Sequence, residues 1–306
     1  MRLATFEVGG QVRFGVVLED GRVLDLAAAG MGPDAATALA FFEAGDAALE
    51  TASYLAQSAL DGYLEPFVTP VEQVRWLPPV PQARKLFCLA GNYAEHVREG
   101  GRDVPPKEET YPYFFWKPPS TALIGHEAPI LYPRIGQKID YEGELAVVIG
   151  RRGRHISRVA AMDHVAGYTI LNDISERELA SKAPPKADRP QNRFFDWLMG
   201  KWFDTAAPCG PWIVTRDAIP DPHTLHLQTR VNGEVRQDAS TADMIFSIPE
   251  LIEFISRIVT LEPGDLIATG TPSGVGSASG RFLQVGDRVE VEIEGIGVLA
   301  NPIAAE

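Results

Sequence analysis

The sequence has little cysteine and no long apolar run. Its two cysteines, Cys88 and Cys209, lie far apart and without a CxxC partner, so neither a disulfide framework nor a zinc–cysteine site is predicted. No apolar stretch reaches the roughly 20 residues that span a bilayer. Residues 1–5 also lack the apolar core of a signal peptide. We therefore expect buried cysteines, a cytoplasmic location and no membrane partner.

Positive charge is scarce as well. The 306 residues include 28 Lys and Arg against 41 Asp and Glu, which gives a formal net charge of −13. This balance disfavours binding to nucleic acids or to anionic membranes. It does not exclude a small anionic substrate, because a bound metal ion can reverse the local field. The 45% of hydrophobic residues can fill one large domain, alone or with a small one.

Two common motifs are missing. The six histidines form no HExxH pattern, and five of them are expected to be structural, namely His126, His155, His164, His223 and His226. Residues 269–276 form a loop of small residues without the Gly-Lys-Ser/Thr of a nucleotide P-loop, so ATP or GTP binding is not predicted. The amides and hydroxyls of this loop could cradle a carboxylate, although the same string is typical of an ordinary turn.

Turn signals and periodicity divide the chain into two parts. Residues 3–26 alternate short β-like runs with glycine turns, an alanine-rich helical stretch covers about 34–62, and a proline-marked linker follows at 66–82. From residue 85 onward, short strands predominate. The prediction is a β-rich α+β protein with peripheral short helices. It is divided into a small N-terminal α+β accessory domain with its linker (1–75) and a catalytic domain (76–306).

Glu142 and Glu144 stand at the start of a strongly apolar, β-branched run. In a strand, side chains two residues apart share a face, so these carboxylates would lie side by side. Buried like charges need a positive partner, and a hard divalent cation suits oxygen ligands. Asp173 ends a second predicted strand and could complete an open Mg²⁺ or Mn²⁺ site. The alternatives are an exposed strand end for the glutamates and a helix N-cap for Asp173.

His96 and Glu99 lie three residues apart, which places them on the same face of a predicted helix. A carboxylate that holds one imidazole nitrogen increases the basicity of the other, which creates a general base able to activate water. The alternative is an exposed surface pair. The thirteen residues 100–112 that follow could form a lid or an ordinary surface loop.

Two lysines could contact an acidic substrate. Lys201 has apolar neighbours, and Lys117 is held in an extended Lys-Pro-Pro frame. Each could instead be a surface lysine with its head group in water.

Seven segments, taken in order, resemble the fumarylacetoacetate hydrolase family. They are residues 91–99, the Phe-x-Lys-Pro-Pro-Ser run that ends at Ser120, 140–145, 167–173, 200–204, 230–237 and 269–276. Together they span essentially all of 85–303. The N-terminal part also resembles the accessory region that many members carry.

The resemblance implies a β-roll-like catalytic domain, usually a homodimer, with Mg²⁺, or else Mn²⁺ or Ca²⁺, in an acidic site. The residues that match by position are Glu142, Glu144 and Asp173 as metal ligands, His96 and Glu99 as the water-activating pair, Lys201 as the active-site lysine and Thr271 in the substrate-contacting loop. Lys117 is expected to bind substrate as well.

Family substrates are mostly small, anionic 2-oxo or 2,4-dioxo acids. The resemblance implies a metal-dependent hydrolase that cleaves a C–C bond of an acylpyruvate-like 2,4-dioxo acid through an enolate. The alternative is an oxaloacetate decarboxylase or a 2-hydroxymuconate-type isomerase, because these reactions also pass through an enolate. A non-catalytic binding protein is disfavoured, since ligands, base and lysine all occur together.

Three features depart from the hydrolytic branches of the family. Ala180 stands where those branches have a glutamine, so a polar substrate contact is missing. Asn92 stands where they have an additional acidic ligand, which is consistent with a branch that uses three carboxylates. The connection at 182–193 is longer than usual and predicts a different substrate range.

Overall fold

A computed structural model describes residues 1–179 and 190–306 of the chain. Its strands are β1 (Arg2–Val8), β2 (Gln11–Val17), β3 (Arg22–Asp25), β4 (Val68–Pro70), β5 (Arg75–Trp76), β6 (Leu86–Ala90), β7 (Tyr113–Trp116), β8 (Leu123–Ile124), β9 (Ile130–Tyr132), β10 (Ile139–Asp140), β11 (Gly143–Ile149), β12 (Val165–Asn172), β13 (Ser175–Glu176), β14 (Ala207–Thr215), β15 (His226–Val231), β16 (Glu234–Ser240), β17 (Leu266–Ala268), β18 (Arg288–Ile293) and β19 (Gly297–Ala305).

The α-helices are short. They are α1 (Ala38–Ala44), α2 (Asp46–Leu60), α3 (Ala94–Glu99), α4 (Pro119–Ala122), α5 (Pro190–Met199), α6 (Ile248–Ile258) and α7 (Gly276–Ser279). Within the two described ranges, no helix has both the length and the apolar character needed to cross a bilayer.

The largest sheet has twelve strands, in the order β4-β3-β2-β1-β14-β12-β11-β17-β6-β7, with β5 beside β1 and β8 beside β14. Strands β11 and β12 lie at its centre and are buried along their whole length. Because both faces of these strands are covered, their sequences are apolar almost throughout instead of alternating with polar residues.

The antiparallel register of β11 and β12 determines where the acidic residues meet. Gly143 pairs with Asn172, and Glu144 pairs with Leu171. The beginning of β11 and the end of β12 therefore lie at the same edge of the sheet. Asp173, the first residue after β12, is thereby brought next to the glutamates that begin β11.

A second sheet packs directly over this edge. It has five strands in the order β16-β15-β18-β19-β9. A Cβ atom at Gly143 would lie 2.4 Å from Thr229 Oγ1 on β15 and 2.9 Å from Val291 Cγ1 on β18. The glycine between the two glutamates is therefore a point at which the second sheet approaches β11 too closely for a larger residue.

The N-terminal part extends the large sheet. Strands β1, β2 and β3 form the predicted antiparallel meander, and β1 also pairs with β14. The predicted helical stretch is present as α1 and α2, which are separated at Gly45 with a φ of 74°. The division of the chain into domains at 75/76 stays a prediction.

Other local predictions are confirmed. The Asn232-Gly233 turn joins β15 to β16 with positive φ at both residues, as a type I′ hairpin requires. Ser247 and Glu250 form the capping box that begins α6. The predicted β-rich α+β class with peripheral helices is confirmed as a whole.

Candidate active site

Three carboxylates meet where β11 begins and β12 ends. Oxygen atoms of Glu142, Glu144 and Asp173 lie within 4.8 Å of one another, and all three side chains are buried. The amide of Asp173 donates to the carbonyl of Glu142 at 2.8 Å, and the amide of Glu142 donates to Asn172 Oδ1 at 2.9 Å. The structure thus brings together the three acids that the sequence predicts as metal ligands.

Two buried lysines face these acids. Lys201 Nζ lies 2.8 Å from Glu142 Oε2 and 2.8 Å from Asp173 Oδ2. Lys117 Nζ lies 2.6 Å from Asp173 Oδ1 and 2.9 Å from the carbonyl oxygen of Ile174. The two lysines are only 2% and 1% exposed, respectively, so neither is the surface lysine that the sequence left open as an alternative.

The pKa values of the two glutamates in this cluster are shifted in opposite directions. Burial by itself raises the pKa of Glu142, but the charges of Lys201 and Arg177 outweigh burial and hold that pKa below its ordinary value. Burial, together with the charges of Asp173 and Glu142, holds the pKa of Glu144 well above its ordinary value. One glutamate is therefore compensated by protein cations, and the other is not.

The pKa values of the two lysines are also shifted in opposite directions. Burial lowers the pKa of Lys117, although Asp173 acts in the opposite direction. At Lys201 burial also acts to lower the pKa, but Asp173 and Glu142 together outweigh it and raise that pKa. Lys201 is thus the more firmly charged partner of the acids.

The cluster fits a divalent metal ion. Glu144 Oε2 accepts a hydrogen bond of 2.7 Å from the amide of Gly270. Glu144 Oε1 is buried and has no hydrogen-bond partner in the described part of the chain. A buried carboxylate oxygen without a partner is costly, and a cation relieves that cost. Three carboxylates are also the oxygen donors that Mg²⁺ and Mn²⁺ prefer.

The predicted base pair is assembled on α3. His96 Nδ1 lies 2.7 Å from Glu99 Oε1, and each side chain is 17% exposed. Glu99 Oε2 accepts a hydrogen bond of 2.8 Å from the amide of Gly274. Because Nδ1 is held by Glu99, Nε2 is the nitrogen left for proton transfer. The pair is therefore not a freely solvated surface pair.

One cavity of about 1330 Å³ connects these groups. Its polar lining includes His96, Glu99, Glu142, Lys117 and Lys201. Its remaining lining is mostly aromatic and aliphatic. The candidate base and the candidate metal site therefore face the same space.

Thr271 also lines this cavity, but its hydroxyl is engaged inside the protein. Thr271 Oγ1 donates to the carbonyl of Gly143 at 2.9 Å and accepts from Gln237 Nε2 at 2.8 Å. Gln237 Oε1 in turn accepts from the amide of Gly143 at 3.0 Å. Gln237, which the sequence analysis did not single out, therefore ties the 269–276 loop to β11. Its position at the end of the resembling segment 230–237 was the available signal.

Arg177 and Asp140 are further residues that the sequence analysis did not assign to the site. Arg177 pairs with Glu142, and its Nε lies 3.0 Å from Asp140 Oδ2. Asp140 is fully buried and accepts from the amides of Tyr141, Gly276 and Ser277. The backbone at the start of α7 thus fixes Asp140, which positions Arg177 against a candidate metal ligand.

Asn92 has a structural role. Its Nδ2 donates to the carbonyls of Thr269 at 2.8 Å and Phe246 at 3.1 Å, and its Oδ1 accepts from the amide of Phe246 at 2.8 Å. The side chain is therefore committed to the backbone, and it is not a fourth acidic ligand.

Two predicted segments keep an open role. The candidate lid at 100–112 contacts α6, where Lys107 Nζ lies 2.8 Å from Glu250 Oε2 and Tyr111 stacks on Phe254. Its closure stays a prediction. Of the long connection at 182–193, residues 182–189 and the neighbouring Ala180 lie outside the described residues, and 190–193 form the first turn of α5.

Comparison with known proteins identifies the family of the chain. Residues 85–304 match the family model described as fumarylacetoacetate (FAA) hydrolase C-terminal. The chain belongs to the fumarylacetoacetate hydrolase family. The resemblance seen in the sequence is thereby confirmed, and the protein is an enzyme of a family that contains hydrolases, isomerases and tautomerases.

Three members illustrate these reactions. The chain is 38% identical over 313 residues to the oxaloacetate tautomerase YisK of Bacillus subtilis, which covers 99% of this chain and 100% of that protein. It resembles the crystal structure of 2-hydroxyhepta-2,4-diene-1,7-dioate isomerase from Mycobacterium marinum (TM-score 0.73, 33% identity, 100% and 99% of the two chains). It also resembles maleylpyruvate hydrolase from Sphingobium sp. SYK-6 in complex with manganese(II) and pyruvate (TM-score 0.73, 31% identity, 100% and 99%).

Proposed function

We propose that the protein is a divalent-metal-dependent enzyme that forms the enolate of a short 2-oxo acid, and that its main reaction is the keto–enol tautomerisation of an oxaloacetate-like substrate. The observation that carries this proposal is the cavity of about 1330 Å³ that is lined by His96, Glu99 and Glu142, because Glu142 also belongs to the acidic cluster with Glu144 and Asp173. The full-length similarity to a protein named oxaloacetate tautomerase supports the choice of reaction.

The metal belongs to this proposal as a resident cofactor. Glu142, Glu144 and Asp173 would hold Mg²⁺, Mn²⁺ or Ca²⁺, and the ion would supply a Lewis acid for the negative charge of an enolate. The manganese and pyruvate in the similar maleylpyruvate hydrolase structure support both the class of ion and the class of ligand.

The chain itself would move the proton. In a tautomerisation, a C–H bond at C3 breaks and an O–H bond forms at the C2 oxygen. His96 Nε2 would take the proton from C3 and return it to the C2 oxygen, and Glu99 would stabilise the imidazolium that forms in between. Lys201 and Lys117 would attract the carboxylate of the substrate and favour the build-up of negative charge near Asp173. The substrate would then be a small anion, in spite of the net negative charge of the protein.

Hydrolysis of an acylpyruvate is the second candidate. The same His96–Glu99 pair can take a proton from water, whose oxygen then attacks the distal carbonyl. The C–C bond breaks, a carboxylic acid leaves and pyruvate forms after the enolate is protonated. The cavity favours this candidate, because about 1330 Å³ leaves room for an acyl group that oxaloacetate lacks. Decarboxylation of oxaloacetate would use the same enolate.

The test is to follow oxaloacetate and acetylpyruvate by NMR with the Mn²⁺- and Mg²⁺-loaded protein, with and without EDTA. We expect rapid enol–keto exchange of oxaloacetate that EDTA abolishes. Acetate and pyruvate from acetylpyruvate would favour hydrolysis, and pyruvate and carbon dioxide from oxaloacetate would favour decarboxylation. Turnover that survives EDTA would exclude the proposed metal chemistry.

A matched pair of histidine variants sharpens the test. His226 Nε2 lies 2.6 Å from Asp238 Oδ1, a histidine–carboxylate pair like that of His96, but it is exposed on the second sheet. His96→Gln should abolish proton transfer and leave metal binding nearly unchanged, whereas His226→Gln should change neither. Equal loss of metal binding and activity in His96→Gln would show that His96 does not act as the base.

The homodimer and the cytoplasmic location also remain proposals. Light scattering of the purified protein would test the first, and fractionation of the source cells would test the second.

A further inference from the structure

Each of the two lysines that pair with Asp173 is next in sequence to a half-exposed tryptophan. Trp116 precedes Lys117, and Trp202 follows Lys201. The tryptophans are 50% and 42% exposed. Trp202 Nε1 donates to the carbonyl of Trp116 at 2.8 Å, so the two segments that supply the lysines are also joined through their tryptophans.

Helix α5 adds two aromatic residues to the same cavity. Phe194 and Trp197 line it together with Trp116 and Trp202. The rings of Phe194 and Trp197 have centroids 6.0 Å apart, and Trp197 packs edge-on against Phe115 at 5.2 Å. Lys201 Nζ lies 5.2 Å from the centroid of the Phe115 ring, which ties this packing to the candidate active site. We call Trp116, Phe194, Trp197 and Trp202 the aromatic wall.

The size of the cavity does not match a small dicarboxylic acid. Pockets for drug-sized ligands enclose roughly 300–1,000 Å³, and this cavity encloses about 1330 Å³. Oxaloacetate bound near Lys117 and Lys201 would leave the aromatic wall in contact with water. Half-exposed aromatic rings that face a catalytic cavity are typical of a surface that gains stability when an apolar group covers it.

We propose that the aromatic wall binds an apolar, preferably aromatic, group at the distal end of a 2-oxo acid, and that Trp202 and Phe194 determine this specificity. The inference rests on the proposed function, because the 2-oxo acid head group would be held at the lysines and the metal site. The wall selects among 2-oxo acids, whereas the lysines and the acids bind the part that all of them share.

Two arginines suggest the competing ligand. Arg102 and Arg193 also line the cavity, and a second carboxylate on the substrate could pair with them. Both are exposed, so their charges are already well solvated and would contribute little to binding. Covering the aromatic wall, in contrast, removes apolar surface from water, which favours binding. The apolar group is therefore the better-supported occupant, and a dicarboxylic 2-oxo acid serves as the competing probe.

The experiment measures binding of pyruvate, phenylpyruvate and 2-oxoadipate to the Mn²⁺-loaded protein by calorimetry. We expect phenylpyruvate to bind at least about 10-fold more tightly than pyruvate. Phe194→Ala and Trp202→Leu should each reduce that preference by about 10-fold. Phe195→Ala is the matched control, because Phe195 is the next residue on α5 and is 50% exposed against 56% for Phe194, but it is not part of the cavity lining.

Three results would overturn the proposal. They are a wild-type protein that does not prefer phenylpyruvate to pyruvate, a preference that both variants retain, and tighter binding of 2-oxoadipate than of phenylpyruvate. If binding of all three acids falls equally in both variants, the wall has only a structural role, and the proposal is again wrong. Failure of the proposed function would be seen separately, as an absence of turnover in a protein that still discriminates among the probes.

Discussion

Glu99 Oε2 accepts a hydrogen bond of 2.8 Å from the backbone amide of Gly274. The other oxygen of the same carboxylate lies 2.7 Å from His96 Nδ1, so Glu99 joins helix α3 to the loop at 269–276. Gly274 has a φ of +105°, and a Cβ atom there would lie 2.1 Å from the carbonyl oxygen of Arg236. The imidazole is therefore oriented from a backbone position that only glycine can occupy.

The first prediction concerns this carboxylate. Glu99→Gln keeps the shape of the side chain and an acceptor for Gly274, but it removes the charge that stabilises a protonated His96. We expect kcat to fall by about 10²-fold or more, with the Kd for Mn²⁺ changed by no more than about 2-fold, because Glu99 is not among the clustered acids. Steady-state kinetics and calorimetry on the same preparation measure the two effects. A parallel loss of metal affinity would mean that Glu99 supports the metal site.

The second prediction is that the two glutamates of the cluster have opposite effects on the metal-free protein. The pKa of Glu142 is lowered in the folded state, so Glu142 contributes stability above the ordinary glutamate range and loses it on acidification. The pKa of Glu144 is raised in the folded state. At a pH between the ordinary glutamate pKa and this raised pKa, the folded chain retains a proton that the unfolded chain has released. Stability therefore falls as the pH rises through this range. At neutral pH, Glu142→Gln should lower Tm and Glu144→Gln should raise it.

Thermal unfolding with EDTA at pH 5, 7 and 8 measures this difference. Glu142→Gln removes one of the two buried carboxylates that pair with Lys201 and one of the two that pair with Arg177. The loss in the free energy of unfolding should be about 1–3 kcal/mol. The increase in Tm that Glu144→Gln gives over the wild type should be larger at pH 8 than at pH 5. Added Mn²⁺ should raise the Tm of the wild type but should not raise the Tm of either variant. Two variants that shift Tm in the same direction at pH 8 would contradict the opposite compensation of the two carboxylates.

The sequence was sufficient for those parts of the site that follow from local periodicity. The i, i+2 spacing of Glu142 and Glu144 and the i, i+3 spacing of His96 and Glu99 require only a strand and a helix. The β-rich class followed similarly from short apolar runs between turn residues. What the residues alone could not decide was whether the acids and lysines were buried. That depends on the covering sheet and on pairings such as Lys117 with Asp173, which are 56 residues apart.

Residues that act through distant backbone groups were the ones missed. Asp140 is fixed by amides of Gly276 and Ser277, more than 130 residues later. Gln237 reaches the amide of Gly143 across 94 residues. Both stand at an end of a resembling segment, 140–145 and 230–237, but an Asp before a strand or a Gln on a hairpin is ordinarily a solvated surface residue. The packing of the second sheet over β11 makes Gln237 a support of the site, and the start of α7 does the same for Asp140.

The third prediction tests the link that Gln237 provides. Gln237→Leu removes the acceptor for the amide of Gly143 and the donor to Thr271 Oγ1, and so leaves buried polar groups without partners. We expect a loss of about 1–3 kcal/mol in the free energy of unfolding, together with a rise in KM, because the 269–276 loop is released from β11. Urea unfolding and steady-state kinetics measure these effects. Gln228→Leu, on the exposed face of neighbouring β15, is the control and should change neither quantity.

The last prediction concerns the close approach of the two sheets at Gly143. Gly143→Ala would place a Cβ atom 2.4 Å from Thr229 Oγ1 and 2.9 Å from Val291 Cγ1, so the second sheet must move or β11 must shift. We expect a loss of about 1–3 kcal/mol and a larger Kd for Mn²⁺, because Gly143 lies between two candidate ligands. Thr229→Ala removes a buried hydroxyl that has no partner in the described residues and should be nearly neutral alone. In the double variant, Thr229→Ala should restore part of the stability that Gly143→Ala removes. It relieves the 2.4 Å contact with Thr229 Oγ1, while the contact with Val291 remains. Additive effects of the two substitutions would show that the sheets do not meet at this residue.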